Sequence, residues 1–271
     1  MKRQEDLIRI SIIMGIYNCA TTLPMAIDSL LEQTYQHWKL IMCDDGSTDN
    51  TYEVAKNYQS RYPEKIILIQ NETNKGLNYT LNHCLQYADT EFIARMDGDD
   101  LSLPTRLEKE IQFLDKNTQY AIVSTPMIYF DDSGDFRIGT GNGEPEVKRM
   151  AASTPFCHAP CMVRREAYEA VSGYAVRNDR LRVEDWDLWI RMYEKGYRGF
   201  VLPEPLYKMR DDRNAYARRK FKFRINEMRV GASAVKKLKL SKWTYLLAIR
   251  PILVGILPSP IYRYLHKKRK K

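Results

Sequence analysis

Three carboxylates fall within four residues at Asp97-Gly98-Asp99-Asp100, directly after the apolar run Glu91–Met96. Their mutual repulsion is costly unless a cation sits among the oxygens. Hard oxygen ligands of this kind suit Mn2+ or Mg2+, which bind through one or two carboxylates together with substrate phosphates. Asp97 and Asp99 are therefore candidate metal ligands, and the plain alternative is a polar loop that caps the helix begun by Pro104. Asp44-Asp45-Gly46-Ser47-Thr48-Asp49 is a second acidic turn, with a glycine that permits close backbone approach and a cap for the next helix. Asp44 or Asp45 could accept from a base N–H or a ribose hydroxyl. Asn74-Lys75-Gly76 opens another helix, where Lys75 could bring a cation to a nucleotide.

Glu184-Asp185-Trp186-Asp187-Leu188-Trp189 begins a helical pattern, where the helix dipole favours ionised carboxylates. A carboxylate held ionised beside an acceptor hydroxyl can act as a general base, although acidic first turns are also ordinary helix chemistry. Trp186 and Trp189 share a helix face and could stack on a sugar ring or join the core. Arg95 and Arg210 are candidates for diphosphate contacts, since guanidinium pairs bidentately with phosphate. His158 beside Cys157 and Cys161 invites a zinc reading, but four good ligands are missing.

These residues need a scaffold, and the first half of the chain supplies an alternating one. Strand-length apolar runs at 8–16, 38–43, 66–70, 91–96 and 120–125 are separated by helical patterns at 22–34, 50–61, 76–88 and 104–117. A βαβαβαβ order implies a mostly parallel sheet with helices on both faces, and ligands in such sheets bind beyond the carboxyl ends of the strands. Tyr17-Asn18, Asp44–Ser47 and Asp97–Asp100 each terminate a strand run, so three polar turns converge on one sheet edge. Gly- and Asp-rich residues 131–146 predict turns or a short hairpin. A strand at 156–164, a short helix at 165–172, an amphipathic helix at 184–195 and a strand at 197–202 follow.

The chain has 271 residues, 44% hydrophobic and 28% charged, which excludes a disordered chain and a membrane protein of many spans. Five scattered cysteines in apolar runs argue against a disulfide framework. The N-terminus lacks an apolar stretch followed by a cleavage site, so a cytoplasmic location is expected. The net charge of +9 is uneven: residues 220–271 carry fifteen Lys/Arg against Glu227 alone, leaving −5 for the other 219 residues. That asymmetry predicts a tail seeking an anionic surface, not a protein coated for nucleic acid.

The segments 10–18, 44–49, 74–76, 94–100 and 184–189 resemble, in order and spacing, the motifs of family 2 glycosyltransferases of the GT-A fold, over roughly residues 8–210. The resemblance implies an α/β, Rossmann-like catalytic domain at 1–215, with a nucleotide-sugar half at about 1–103 and an acceptor half at about 104–215. It also implies inverting transfer from a nucleotide-diphosphate sugar, with a UDP-sugar favoured, by direct displacement. By position, Asp99 and Asp97 match the metal carboxylates, Asp45 or Asp44 the base-recognising residue, Tyr17 the uracil pocket and Asp185 the catalytic base, with Glu184 beside it. Nucleotidyl transfer is the alternative, but residues 14–24 show no Gly-rich basic phosphate loop. A non-catalytic glycan-binding protein is the other, and under it the carboxylates are dispensable.

Residues 216–271 are expected to form a basic helical tail. Residues 243–257 are too short and too interrupted by Arg250 and Pro251 to span a bilayer, which needs about 20 apolar residues. The polybasic end Lys267–Lys271 suits an anionic leaflet. The expected setting is peripheral, at the inner face of the cell membrane, with a lipid-linked or growing cell-surface glycan as acceptor.

Overall fold

The computed structural model describes residues 7–211 and 221–256. In chain order the elements are β1 (Ile10–Ile16), α1 (Leu23–Leu31), β2 (Trp38–Asp44), α2 (Thr51–Arg61), β3 (Ile66–Gln70), α3 (Leu77–Leu85), β4 (Phe92–Arg95), β5 (Leu101–Ser102), α4 (Arg106–Lys116), β6 (Ile122–Ser124), β7 (Met127–Asp131), β8 (Gly134–Ile138), β9 (Met162–Arg164), α5 (Arg165–Ala170), α6 (Glu184–Glu194), β10 (Gly199–Val201), β11 (Tyr207–Arg210), α7 (Phe221–Lys237) and α8 (Tyr245–Ile256). Short 3-10 turns at Val147–Ala151, Asn178–Arg180 and Lys242–Thr244 join some of them.

The main sheet has seven strands in the order β10-β6-β9-β4-β1-β2-β3. All neighbours run parallel except β9, which is antiparallel to both β4 and β6. The chain winds outward from β1 through β2 to β3 and then returns to place β4 on the other side of β1. The strand order therefore reverses between β1 and β4, and it is at the carboxyl ends beside such a reversal that sheets of this kind bind ligands.

The sheet is covered on both faces, as its continuous apolar strands require. Ile10, Ile12, Met14 and Ile16 pack in one core with Leu23, Ile27 and Leu30 of α1 and Leu107, Ile111 and Leu114 of α4. Ile13, Ile41 and Cys43 face the other core with Leu81 and Cys84 of α3 and Leu188, Trp189 and Met192 of α6. The period-2 alternation of β1 thus divides the two cores.

The expected strand order and helices are present, with ends that differ by a few residues. The expected strand at 156–164 shortens to β9, because Phe156 and Cys157 belong to the loop before it. The Asp131–Glu146 region does hold a hairpin, β7–β8, which begins earlier than expected. A second sheet, β5-β11-β7-β8, was not foreseen; its β5 has two residues and its β11 four. All five cysteines are free. In the tail, the described residues between 216 and 257 hold α7 and α8, whereas the boundary at 215/216 and Lys267–Lys271 lie outside the described residues.

Candidate active site at the strand-order reversal

The first three turns interlock through backbone and side chain. Asp45 N–H donates to the Ile16 carbonyl at 2.9 Å and Asn71 N–H to the Asp44 carbonyl at 2.8 Å, which ties the ends of β1, β2 and β3 together. Gly46 sits at φ +70, and a Cβ there would lie 2.9 Å from the Asn74 nitrogen, so only glycine fits the approach. Asn18 (φ 48) accepts from Thr48 N–H at 2.9 Å and donates its own N–H to Ser47 Oγ at 3.0 Å. Tyr17, beside it, is 47% exposed and free to lie along a ligand.

The carboxylates of the second turn hold this arrangement. Asp44 is fully buried and accepts from Ser47 Oγ at 2.5 Å, Ser47 N–H at 3.2 Å and Gln70 Nε2 at 3.0 Å. Asp45 is also buried and accepts from Asn71 Nδ2, Lys75 N–H and Gly76 N–H, each at 2.8 Å. Asp44 as a contact to a base or ribose is thus corrected: its oxygens are enclosed and fully engaged. Asp45 instead fixes the Asn74-Lys75-Gly76 turn through the Lys75 and Gly76 N–H groups. Lys75 itself is exposed. It lines a cleft of about 490 Å³ with Gly76, Asn78, Arg177 and Asp179.

The acidic loop after β4 is arranged differently. Gly98 packs so closely on the first turn that a Cβ would meet Cys19 Sγ at 3.0 Å, and Thr22 Oγ1 donates to the Gly98 carbonyl at 3.0 Å. Asp97 pairs with Arg95 Nη2 at 2.5 Å. Asp100 is buried and accepts the Arg210 backbone N–H at 2.8 Å, while its other oxygen has no partner. Asp99 is partly exposed, and burial together with the nearby Asp97 charge raises its pKa. The three carboxylates therefore do not converge on one point, and among the described residues no group of three or more His, Cys, Asp or Glu could hold a metal alone. Asp99 and Asp97 nonetheless fit a cation. Asp99 is partly exposed two residues from Asp97, and two carboxylates completed by phosphate oxygens are the usual Mg2+ or Mn2+ arrangement.

Asp185 and Glu184 occupy the first turn of α6. Burial raises the pKa of both; the Asp185 neighbour raises Glu184 further, and the Trp186 N–H and Thr154 hydroxyl oppose the rise at Asp185. The Arg95 charge reaches Asp97, Asp99, Glu184 and Asp185 and so connects the acidic loop to the carboxylate helix. Arg95 is itself buried, and its Nε has no partner. As an exposed diphosphate ligand it is thereby corrected to an internal counter-ion. Arg210 is half-buried, pairs with Asp132 at 2.7 Å and lies over the Phe130 ring, with its charge near enough to lower the Asp99 pKa.

Trp186 and Trp189 correct the acceptor-stacking expectation. Trp189 is fully buried edge-on to Phe156 and His158, and Trp186 donates from Nε1 to the Met150 carbonyl at 2.8 Å. Their ring faces belong to the core. His158 is likewise internal, bonded to the Tyr174 hydroxyl at 2.8 Å.

The family model described as glycosyl transferase family 2 matches residues 11–172, more than half of the chain. The chain is a family 2 glycosyltransferase. EpsE of Bacillus subtilis (strain 168) is 46% identical over 262 residues, 96% of this chain and 94% of EpsE. An Escherichia coli enzyme, the UDP-Glc:alpha-D-GlcNAc-diphosphoundecaprenol beta-1,3-glucosyltransferase WfaP, is 30% identical over 69% of this chain and 71% of its own. S. aureus TarS 1–349 in complex with UDP shares the fold at TM-score 0.70 and 19% identity, covering 90% of this chain and 70% of that one. The GT-A expectation is thus confirmed, and family membership sets aside the nucleotidyl-transfer and glycan-binding alternatives.

One part of the glycosyltransferase site had no sequence signal. Tyr207, on β11, is fully buried beneath the acidic loop, and its hydroxyl accepts the Asp97 N–H at 3.2 Å. Arg106 lies over the Tyr207 ring at 5.2 Å, donates to the Arg95 carbonyl at 3.2 Å and faces Glu110 at 3.7 Å. These side chains come from α4 and β11, about 100 residues apart in sequence, and the pairing of β11 with β5, just before α4, brings them together.

Proposed function

We propose that this glycosyltransferase moves a sugar, with inversion, from a UDP-sugar to a hydroxyl of a lipid-linked or growing glycan in the synthesis of a cell-surface polysaccharide. The observation that carries the reading is geometric: the turns after β1, β2 and β4, which hold Tyr17, Asp45 and Asp97–Asp99, lock together at the carboxyl ends of the strands, where the strand order reverses. A lipid-linked substrate in the name of WfaP and bound UDP in TarS support the acceptor and donor classes.

In this reading residues 1–103 hold the nucleotide sugar and residues 104–215 the acceptor. Tyr17 lies along the uracil, Lys75 meets the nucleotide from the turn that Asp45 fixes, and Arg210 meets the diphosphate. Asp99 and Asp97 would hold Mn2+ or Mg2+, whose chemistry is to neutralise charge on the departing diphosphate. Asp185 takes the acceptor hydroxyl proton as the oxygen attacks the anomeric carbon, and the bond from that carbon to the phosphate oxygen breaks to release UDP. Glu184 shares the turn and keeps negative charge beside the proton acceptor. The setting is the inner face of the cell membrane.

A panel of nucleotide sugars with Mn2+ or Mg2+, read by nucleotide diphosphate release, tests the donor class. Release from UDP-sugars above the rest is expected. No metal-dependent release from any donor overturns the reading.

A further inference from the structure

The helix pair at the end of the described chain is fixed to the catalytic domain on one side and uncovered on the other. Gly231 of α7 packs so tightly that a Cβ would lie 2.5 Å from the Ala151 carbonyl and 3.1 Å from Ala248 of α8. Asn226 of α7 donates to the Leu181 carbonyl at 3.2 Å, just before Glu184. The pair is therefore braced against the segment that leads into the proposed base.

Thr244, Ala248 and Pro251 are buried. The opposite side of α8 carries Leu246 (70% exposed), Ile249, Leu253 (61%) and Ile256 (67%), and exposed Trp243 precedes the helix. Spacings of three, four and three residues put those four aliphatic side chains on one face. Single exposed apolar residues need no explanation, but a contiguous ridge of them marks an interaction surface.

Charge identifies the partner. From residue 228 to 271 the sequence contains no Asp or Glu, and the ridge is accompanied by exposed Lys242 and Arg250. The sequence beyond α8, residues 257–271, adds six more Lys/Arg. A second copy of this face would set cations against cations. A bilayer with anionic headgroups meets both needs, because apolar side chains enter the acyl boundary while Lys and Arg stay among the headgroups. At twelve residues α8 is about 18 Å long, against a hydrocarbon core of about 30 Å. Among the described residues no helix is long and apolar enough to cross a membrane. The helix lies along the surface and does not span it.

We propose that the Leu246, Ile249, Leu253 and Ile256 face of α8, with Trp243, Lys242 and Arg250, docks the enzyme on an anionic lipid surface. This goes beyond the catalytic reading and is separable from it, since vesicle binding is read without turnover. The test is flotation of the full chain with vesicles of neutral phosphatidylcholine and with vesicles containing about 30% phosphatidylglycerol. Wild type is expected to float with the anionic vesicles and poorly with the neutral ones. The double variant Leu246→Glu/Leu253→Glu is expected to lose about tenfold or more in vesicle partitioning, with unchanged melting temperature and unchanged donor hydrolysis in solution, since neither residue is buried or in the proposed site. Asp99→Asn is expected to float as wild type does, so a failed catalytic reading leaves this result intact. Equal flotation of wild type and double variant overturns the proposal, as does a wild type that ignores anionic vesicles. So does a dimer in gel filtration that the double variant dissolves, because the face then belongs to a second copy.

Discussion

Two turns on the same sheet edge carry adjacent carboxylates and use them in opposite ways. At the end of β2, Asp44 and Asp45 are enclosed, and every oxygen accepts from a named donor of the neighbouring turns. At the end of β4, Asp99 is partly exposed with its pKa raised by burial and by the Asp97 charge, and Asp97 pairs with a single guanidinium. Carboxylates saturated by N–H and O–H donors build a scaffold, whereas carboxylates left short of positive charge attract a ligand that supplies it. The two motifs look alike as sequence, and the difference lies in what each turn packs against. The β2 turn abuts backbone N–H groups of residues 75 and 76, whereas the acidic loop meets the first turn through its Gly98 carbonyl, which accepts from the Thr22 hydroxyl, and so leaves Asp99 without such donors among the described residues.

The sharpest way to break the comparison is Asp99→Asn. Turnover should fall about a thousandfold or more, because several kcal/mol of leaving-group stabilisation is withdrawn. Metal-dependent nucleotide binding, followed by calorimetry with and without Mn2+, should weaken while the melting temperature holds. Nucleotide binding that stays metal-dependent and undiminished would return Asp99 to the status of a capping residue.

Asp185→Asn comes next, with an expected loss of about 10²–10⁴-fold in kcat and nucleotide binding unchanged. The sign of its pH dependence follows from the raised pKa. Only the ionised carboxylate accepts a proton, so kcat/KM in wild type should drop as pH falls through a value above the ordinary aspartate range. That acid limb should vanish in Asp185→Asn, and a limb that survives the substitution belongs to another group.

Asp44→Ala should reverse the pattern. Deleting a fully buried acceptor strands the Ser47 and Gln70 donors and should cost about 1–3 kcal/mol of stability in denaturant titration. Residual kcat at a temperature where the variant is folded should remain within about tenfold of wild type. A large kcat loss without destabilisation would move Asp44 into the site. The smallest effect belongs to Tyr207→Phe, which removes one acceptor from the Asp97 N–H, about 0.5–1.5 kcal/mol. It should raise the apparent Kd for Mn2+ by a few-fold and leave the position of the acid limb unchanged. A variant with wild-type metal affinity would show that the loop holds its shape without β11.

Much of the fold was legible because its signals are local. Apolar runs alternating with helical patterns announce a parallel sheet, so the turns after β1, β2 and β4 that carry Tyr17, Asp45 and Asp99, and the helix that begins at Glu184 and Asp185, could be read from the spacing. Residues whose role depends on burial were not legible. Trp186 and Trp189 share a face that could stack on a sugar or join the core, and it proved to be core, since a helix face has no label for which side meets solvent. Arg95 read as a candidate diphosphate contact and proved to be buried and paired with Asp97.

By itself the sequence determined the period-2 alternation of β1 that divides two cores, the three converging turns and the one-sided charge of residues 220–271. Those follow from backbone periodicity and residue type, which operate over a few residues. Tertiary structure alone decided which carboxylates are saturated by hydrogen-bond donors and which are not. It also decided that Tyr207 and Arg106 lie beneath the acidic loop and that α8 shows an apolar face. Each of these depends on the distance to a partner tens of residues or more away along the chain, and both desolvation and Coulomb interaction are set by that distance.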